Sequence, residues 1–163
     1  MLAEALGLEG KEVASWCMIG IQRRGGPVNG FVRLSDEPIK RRDKVYDPDC
    51  LILVEPRQIK SPLIWSGLKQ GGILVLNSAE TPKESPYPAL GLAGVIDATG
   101  IALKETGMAI VNTCLLGAFA ATTNWLSLDS ILSVLEARFK GKALSGSIKC
   151  AERGFQEVNL IKY

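Results

Sequence analysis

The chain has 163 residues, of which 47% are hydrophobic and 22% are charged. This is the size and composition of a single globular domain, spanning residues 1–163, and it excludes intrinsic disorder or a coiled coil along the whole chain. The 19 Lys and Arg residues against 17 Asp and Glu residues give a formal charge of +2, so neither nucleic acid nor an anionic membrane is indicated as a partner. Histidine is absent from the sequence, which excludes Ser-His-Asp and Cys-His catalysis and zinc bound through imidazole.

The four cysteines are dispersed along the chain. Cys17, Cys50, Cys114 and Cys150 form no CxxC pair and no cluster, so the spacing predicts separate buried thiols, no metal site and no iron-sulfur centre in this chain. Free thiols are typical of a reduced compartment, and we expect a cytoplasmic protein. The amino-terminal residues lack the pattern of a secretory signal, and the longest apolar region, residues 108–121, is shorter than the roughly 20 residues that cross a bilayer.

The first hundred residues alternate strands with short connections. Hydrophobic periodicity predicts a helix over 1–8, strands over 12–18, 30–35, 50–54, 73–76 and 92–96, a short helical or turn segment over 59–68, and loops over 21–29, 36–48 and 81–88. The strands at 50–54 and 73–76 are apolar without interruption, which is typical of strands buried on both faces. A connection of about 18 residues joins them, so they are predicted to form a parallel βαβ unit.

The rest of the chain is predicted to be helical. Asp97 begins a helix that Gly107 ends, and amphipathic spacing continues over 109–123, 127–139 and 144–155. The chain is therefore α/β in its first hundred residues, with an α-helical C-terminal part.

The densest unusual stretch lies between the first two predicted strands. It reads Arg23-Arg24-Gly25-Gly26-Pro27-Val28-Asn29-Gly30. Arginines bind carboxylate or phosphate, and glycines let another backbone approach closely. An anionic or protein partner at this loop is one interpretation, and a solvated turn between two strands is the other. Phosphate binding is weakly supported, because no P-loop or dinucleotide-binding pattern surrounds the glycines. The basic run at 40–42 has carboxylates nearby and indicates a solvated loop.

Three carboxylates lie next to predicted strands. Asp49 and Glu55 bracket the first of the two apolar strands, and Asp97 ends the strand that follows the proline-rich loop. Ligands bind at the carboxyl ends of parallel strands in open α/β sheets, but no charged partner is visible in the pattern, so a capping or anchoring role is favoured. Asn112 is likewise predicted to begin a helix or to bond within the core, and Gly117-Ala118 to permit close helix packing.

Several motifs, taken in order, resemble one known family. They are Arg24-Gly25-Gly26-Pro27-Val28, 31–39 (FVRLSDEPI), Asp47-Pro48-Asp49, 71–78 (GGILVLNS), 97–102 (DATGIA), 112–118 (NTCLLGA) and Ala151-Glu152-Arg153-Gly154. Over nearly the whole chain, this set is similar to the gamma subunit of 2-oxoacid:ferredoxin oxidoreductases, the pyruvate synthase group. No single motif is diagnostic, but the ordered set is.

The resemblance implies a Rossmann-like domain with an open, mostly parallel sheet and with no active site or cofactor of its own. It implies partner subunits of alpha, beta and delta type that hold thiamine diphosphate, Mg²⁺ and [4Fe-4S] clusters. Such a complex, found in anaerobic metabolism, oxidatively decarboxylates a 2-oxoacid to its acyl-CoA with coenzyme A and passes electrons to ferredoxin. The loop carrying Arg23, Arg24, Gly25, Gly26 and Asn29 is implied to face those subunits. Which 2-oxoacid is used, and whether this chain touches coenzyme A, stay open.

The sequence departs from the family pattern in two places. The family begins with a strand and a G-x-G-G-Q-G turn, both of which we expect to be absent here, either because the start was trimmed or because this member lost it. The family also carries Tyr-Gly-Pro-Glu where this chain has Ile19-Gly20-Ile21-Gln22. Without the first strand, one of the two apolar strands has a bare flank, and we expect a neighbouring subunit or an upstream segment to cover it. The alternatives to an accessory subunit are a stand-alone Rossmann-like module that binds a small molecule and a purely structural interaction module.

Overall fold

The structure, a computed structural model, describes residues 1–19, 28–41 and 43–163. The elements follow in chain order as α1 (Leu2–Leu8), β1 (Glu12–Ile19), β2 (Val28–Ser35), β3 (Cys50–Leu53), two 3-10 helices (Pro56–Lys60 and Pro62–Trp65), β4 (Gly72–Asn77), β5 (Leu90–Ile96), α2 (Ala98–Thr106), α3 (Asn112–Thr123), α4 (Leu128–Arg138), α5 (Gly141–Glu157) and β6 (Asn159–Lys162). Strands dominate the first part of the chain and helices the second, as predicted.

The strands form two separate sheets. An open sheet has the order β3-β4-β5-β6, in which the first three strands are parallel and β6 runs antiparallel to β5. The other sheet is the antiparallel hairpin of β1 and β2, with Glu12 opposite Ser35 and Ile19 opposite Val28. The predictions of an open, mostly parallel sheet and of a parallel unit joining β3 to β4 are confirmed. The connection within that unit consists of 3-10 helices, as expected for a segment with prolines at two helix starts.

Two predictions about the strands were wrong. The chain ends in strand β6, which was predicted to belong to a helical tail, because four residues carry too little periodicity to be recognised. Strand β3 was predicted to be buried on both faces, but all four of its residues are only half-buried. It lies at one edge of the sheet, so one flank has no neighbouring strand among the described residues. Strand β4, in the interior of the sheet, is buried as predicted.

Helix α3 is the centre of the core. All but two of its twelve residues are buried, and it packs between the sheet and α5. A Cβ atom on Gly117 would lie 1.9 Å from the carbonyl oxygen of Ala151, and one on Gly154 would lie 2.0 Å from that of Cys114. The two helix backbones therefore cross in direct contact, and the prediction that Gly117-Ala118 permits close packing is confirmed.

Helix α1 is fastened to α4 by two carboxylates. Glu4 forms a bidentate ion pair with Arg138, whose Nε donates to Glu4 Oε2 at 2.9 Å. Glu9 Oε1 accepts hydrogen bonds from the Ser127 backbone N–H and hydroxyl, both at 2.8 Å, and from the Ser130 hydroxyl at 2.6 Å. These bonds close the polar margin of a contact in which Ala5 and Leu6 of α1 are fully buried.

Candidate functional site

The outer half of the β1–β2 hairpin extends beyond the core. Near its base, side chains of β1 and β2 pack against the buried cluster beneath the helices; they are Val13, Val32 and Leu34. Farther along, Met18 is 51% exposed and Val28 is 63% exposed. Apolar side chains left uncovered at this end of a hairpin are typical of a surface that another protein covers.

Aromatic stacking stiffens the middle of the hairpin. Trp16 and Phe31 are opposite each other in the strand register, and their rings stack with centroids 5.8 Å apart. The Arg33 guanidinium lies 5.8 Å from the centroid of the Trp16 ring, within the range of a cation–π interaction. The hairpin is thus a preorganised arm, which reduces the entropy lost when it binds a partner.

Arg33 also ties the base of the hairpin to the loop that follows it. Its Nη2 donates to the carbonyl oxygens of Asp43 at 3.3 Å and Lys44 at 3.2 Å. Its Nε is buried and has no hydrogen-bond partner among the described residues. Asp43 accepts a second guanidinium contact from Arg41 at 2.6 Å, and this hydrogen bond holds the pKa of Asp43 below its usual range.

A small polar cavity lies beside this loop. It measures about 200 Å³ and is lined by Arg33, Arg41, Val45, Tyr46, Asp47 and Lys69. The cations are largely compensated, since Arg41 pairs with Asp43 and Lys69 Nζ pairs with Asp49 Oδ1 at 2.7 Å. Internal pairing of this kind anchors a loop and leaves little net charge to attract an anion.

The loop residues singled out in the sequence fall in two places. Arg23, Arg24, Gly25 and Gly26 lie outside the described residues. Asn29 lies in β2, is exposed and sits opposite Met18 in the hairpin register. The segment that carries the four other residues joins the outer ends of β1 and β2, where Asn29 also lies.

The carboxyl ends of the parallel strands are sealed by internal hydrogen bonds. Asp97 caps α2 by accepting from the Gly100 backbone N–H at 2.8 Å. Buried Asn77 accepts from the Thr99 N–H at 3.3 Å and donates through Nδ2 to the Val54 carbonyl at 2.9 Å. A phosphate bound at a helix start accepts hydrogen bonds from free backbone N–H groups. Here the N–H groups of Thr99 and Gly100 already donate to the side chains of Asn77 and Asp97. This arrangement disfavours nucleotide binding at α2.

The other carboxylates flanking the strands have similar structural roles. Glu55 caps the first 3-10 helix through the Arg57 backbone N–H at 3.4 Å, and Asp49 pairs with Lys69. With Asp97, all three show the predicted capping or anchoring role. Asn112 begins α3, also as predicted. The role of Asn77 was not predicted, although an Asn that ends an apolar strand is a recognisable signal.

The thiols do not form a metal centre in the described structure. Cys17 is exposed on the hairpin, Cys50 is half-buried in β3, and Cys114 and Cys150 are buried. The prediction of buried thiols is therefore confirmed for Cys114 and Cys150 and wrong for Cys17. Burial raises the pKa of Cys50 and of Cys114 to about 12, so both stay protonated at neutral pH. Residues 1–19, 28–41 and 43–163 hold no group of three His, Cys, Asp or Glu side chains suited to a metal. Within the same ranges, each helix is too short or too polar to cross a membrane.

Comparison with known proteins identifies the family. The family model for pyruvate ferredoxin/flavodoxin oxidoreductase matches residues 1–157, so the chain belongs to that family. It is 36% identical over 162 residues to the pyruvate/ketoisovalerate oxidoreductases common subunit gamma of Thermococcus kodakarensis, covering 97% of this chain and 87% of that one. It is 40% identical over 160 residues to the gamma subunit of the NADH-dependent phenylglyoxylate dehydrogenase of Aromatoleum evansii, covering 97% and 84%.

A solved structure supports the same conclusion. The crystal structure of pyruvate oxidoreductase subunit PORC from Thermotoga maritima superimposes with a TM-score of 0.85 at 32% identity, covering 99% of this chain and 88% of that one. The resemblance noted in the sequence is thereby confirmed, both for the family and for the gamma subunit as the type of chain. The Rossmann-like fold class that it implied is confirmed as well.

Proposed function

We propose that this chain is the gamma-type accessory subunit of a multi-subunit 2-oxoacid:ferredoxin oxidoreductase. The complex would decarboxylate a 2-oxoacid oxidatively to its acyl-CoA and CO₂ and pass the electrons to ferredoxin. The observation that carries the proposal is the match of 97% of this chain to gamma subunits of a pyruvate/ketoisovalerate oxidoreductase, at 36% identity, and of an NADH-dependent phenylglyoxylate dehydrogenase, at 40%. The family model for pyruvate ferredoxin/flavodoxin oxidoreductase supports ferredoxin as the acceptor. The family model extends from α1 through α5 and is not limited to one motif.

The cofactors of the complex are assigned to its other subunits, of alpha, beta and delta type. A [4Fe-4S] cluster needs four thiolates around one site. The described cysteines lie apart, in the hairpin, in β3, in α3 and in α5. Thiamine diphosphate with Mg²⁺ needs carboxylate and amide oxygens at a phosphate site, but Asp97 and Asn77 are already occupied in capping α2. These residues do not fit either group.

The contribution of this chain is to build the surface that meets the thiamine-bearing subunits. We assign that role to the outer hairpin, with Arg23, Arg24, Gly25, Gly26 and Asn29. Two features of the β1–β2 hairpin support this assignment. Exposed Met18 and Val28 offer apolar contact, and the Trp16–Phe31 stack holds the hairpin in place. Arginine forms two parallel hydrogen bonds with a carboxylate or phosphate, which suits it to the margin of such a contact.

Reconstitution tests the proposal. The chain is co-expressed with its alpha-, beta- and delta-type companion subunits, the complex is weighed by native mass spectrometry, and ferredoxin reduction is followed with a panel of 2-oxoacids. We expect a complex containing this chain, with reduction that requires both a 2-oxoacid and coenzyme A. A complex of full activity that assembles without this chain contradicts the proposal.

The two alternatives make different predictions. A stand-alone small-molecule module would bind its ligand without partners, and the sealed start of α2 argues against a nucleotide there. A purely structural module would support assembly without touching the active centre. The turnover number of a fully assembled Arg24→Ala complex distinguishes a purely structural module from the proposed subunit. Turnover changes only if the loop reaches the active centre, and it stays the same if the loop serves assembly alone. The cytoplasmic location stays a prediction.

A further inference from the structure

The two faces of the open sheet are covered very differently. The large buried cluster on one face takes in α1 and all four helices α2 to α5. The cluster on the other face contains no residue from any α-helix; its members are Trp65, Leu68, Leu74, Leu76, Leu90, Ala93 and Val95. Parallel sheets in α/β proteins are normally covered on both faces. Among the described residues, the second face is covered by the connection from β3 to β4, with its two 3-10 helices, and by the proline-rich loop that follows β4.

An apolar groove opens in this thin layer. It has a volume of about 460 Å³ and is lined by Ile59, Lys60, Pro62, Trp65, Pro86 and Tyr87; we call it the aromatic groove. The rings of Trp65 and Tyr87 stack at 5.2 Å with an interplanar angle of 7°. The Trp65 indole N–H already donates to the Ile59 carbonyl at 3.0 Å. The Trp65 ring is therefore fixed in place as a buried support, only 4% exposed, and the half-buried Tyr87 ring stacked on it offers carbon surface to an occupant.

A prominent leucine projects next to the aromatic groove. Leu63 follows Pro62 in the second 3-10 helix and is 85% exposed, the highest value for a large apolar side chain in the described part of the protein. Side chains of this kind are of little use to an isolated chain, because they contribute almost nothing to its core. Together with an apolar depression, an exposed apolar side chain of this size forms the kind of patch that another protein covers.

The charge at the groove indicates what binds there. Lys60 lines the aromatic groove and forms no ion pair within residues 1–19, 28–41 and 43–163. An occupant with a carboxylate would neutralise a cation that the described part of the chain leaves unpaired, whereas a basic occupant would be repelled.

We propose that the aromatic groove is a second docking surface of the chain. Its occupant is a segment of a companion subunit that places an apolar side chain against Tyr87 and a neighbouring carboxylate against Lys60. Leu63 packs against the same partner. The inference rests on the proposed function, since it takes the partner from the same complex, but it shares no residue with the outer hairpin.

Hydrogen exchange and mutation in the assembled complex test this surface. Exchange is measured for residues 56–65 and 83–88 in the free chain and in the complex with the companion subunits. Leu63→Asp and Lys60→Glu are then compared with Leu103→Asp and Lys104→Glu, a matched apolar and basic pair on exposed α2. Thermal denaturation of each free variant checks folding, which an 85% exposed side chain should not affect.

We expect protection of both segments in the complex and an assembly constant weakened about tenfold or more by Leu63→Asp. Lys60→Glu should weaken assembly as well, and the α2 pair should not. If the parent chain assembles and protects the hairpin while both segments exchange as in the free chain, the docking surface is wrong and the proposed function stands. If the parent chain does not assemble at all, the proposed function fails and this inference fails with it.

Discussion

The crossing of α3 with α5 and the β1–β2 hairpin show two opposite uses of glycine and apolar residues in one chain. At the crossing, Gly117 and Gly154 bring two backbones together, and the surrounding side chains are buried. In the hairpin, Gly30 has open space around it and Met18 and Val28 face solvent. Stability is thus concentrated where glycine is sterically required, and binding capacity where it is not. Mutations in the two regions should therefore separate folding from assembly.

The largest effect is expected at the crossing. Gly154→Ala places a methyl group against the Cys114 carbonyl, which is backbone and cannot rotate away. We expect a loss of about 3 kcal/mol or more in the free energy of unfolding, measured by urea denaturation. Gly7→Ala in α1 is the matched control, because no atom other than its chain neighbours and the backbone of its own helix lies within 4 Å of the place that its Cβ would take, and alanine favours helix. Equal stability of the two variants would contradict the close crossing.

The hairpin should give the opposite result. Arg24→Ala is expected to weaken assembly with the companion subunits by a few kcal/mol, the usual cost of removing a desolvated charged contact. The melting temperature of the free chain should stay nearly unchanged. Assembly is measured by titration of the free chain into the remaining subunits, and Lys104→Ala, at an exposed cation on α2 away from both proposed surfaces, serves as the control. A variant that assembles and turns over like the parent supports the solvated-turn interpretation.

A smaller effect is expected where α1 meets α4. Hydrogen bonds from Ser130 and Ser127 hold the pKa of Glu9 below its ordinary value. The folded state therefore favours the ionised form, and this stabilisation is present above the ordinary Glu pKa of about 4.3 and is lost as the pH falls through the lowered value. We expect Glu9→Gln to lower the melting temperature at neutral pH and to reduce its further decrease on acidification.

Melting temperatures measured between neutral and acidic pH check this. Glu84→Gln, at an exposed carboxylate with no hydrogen bond among the described residues, controls for the loss of one negative charge. If both variants show the acid dependence of the parent, the Glu9 contacts do not couple α1 docking to pH.

The contrast between the buried α3–α5 crossing and the exposed hairpin also explains which parts of the fold could be predicted from the sequence. The apolar run in β4 and the glycine in 112–118 are recognisable because burial and close packing leave a compositional signature. β3 has a similar composition but lies at the sheet edge. Its position could not be predicted from composition, because the number of neighbouring strands is a property of the whole fold. The expected cover over its bare flank stays a prediction.

The site was less predictable for a related reason. Composition was enough to select the loop between β1 and β2, but it gave no indication of the role of Arg33. That role depends on Trp16 in the opposite strand and on carbonyl groups ten or more residues away. The aromatic groove was not predicted either, because Trp65 and Tyr87 come from separate connections that meet only in the folded chain. Cross-strand and cross-loop contacts of this kind leave no local pattern.

The smallest expected effect is a difference in thiol reactivity between the hairpin, which carries Cys17, and the α3–α5 crossing, which contains Cys114. Cys17, exposed on the hairpin, should react with a thiol reagent in the folded chain, whereas Cys114, buried at the crossing with its pKa raised to about 12, should react only after denaturation. Absorbance assays with a chromogenic disulfide should count one fast thiol before denaturation and all four after it, with no iron in the purified chain. Cys17→Ser should abolish the fast reaction without changing the melting temperature. Rapid reaction of Cys114 in the folded state would mean that the α3–α5 crossing opens readily, and the assignment of stability to that crossing would then be wrong.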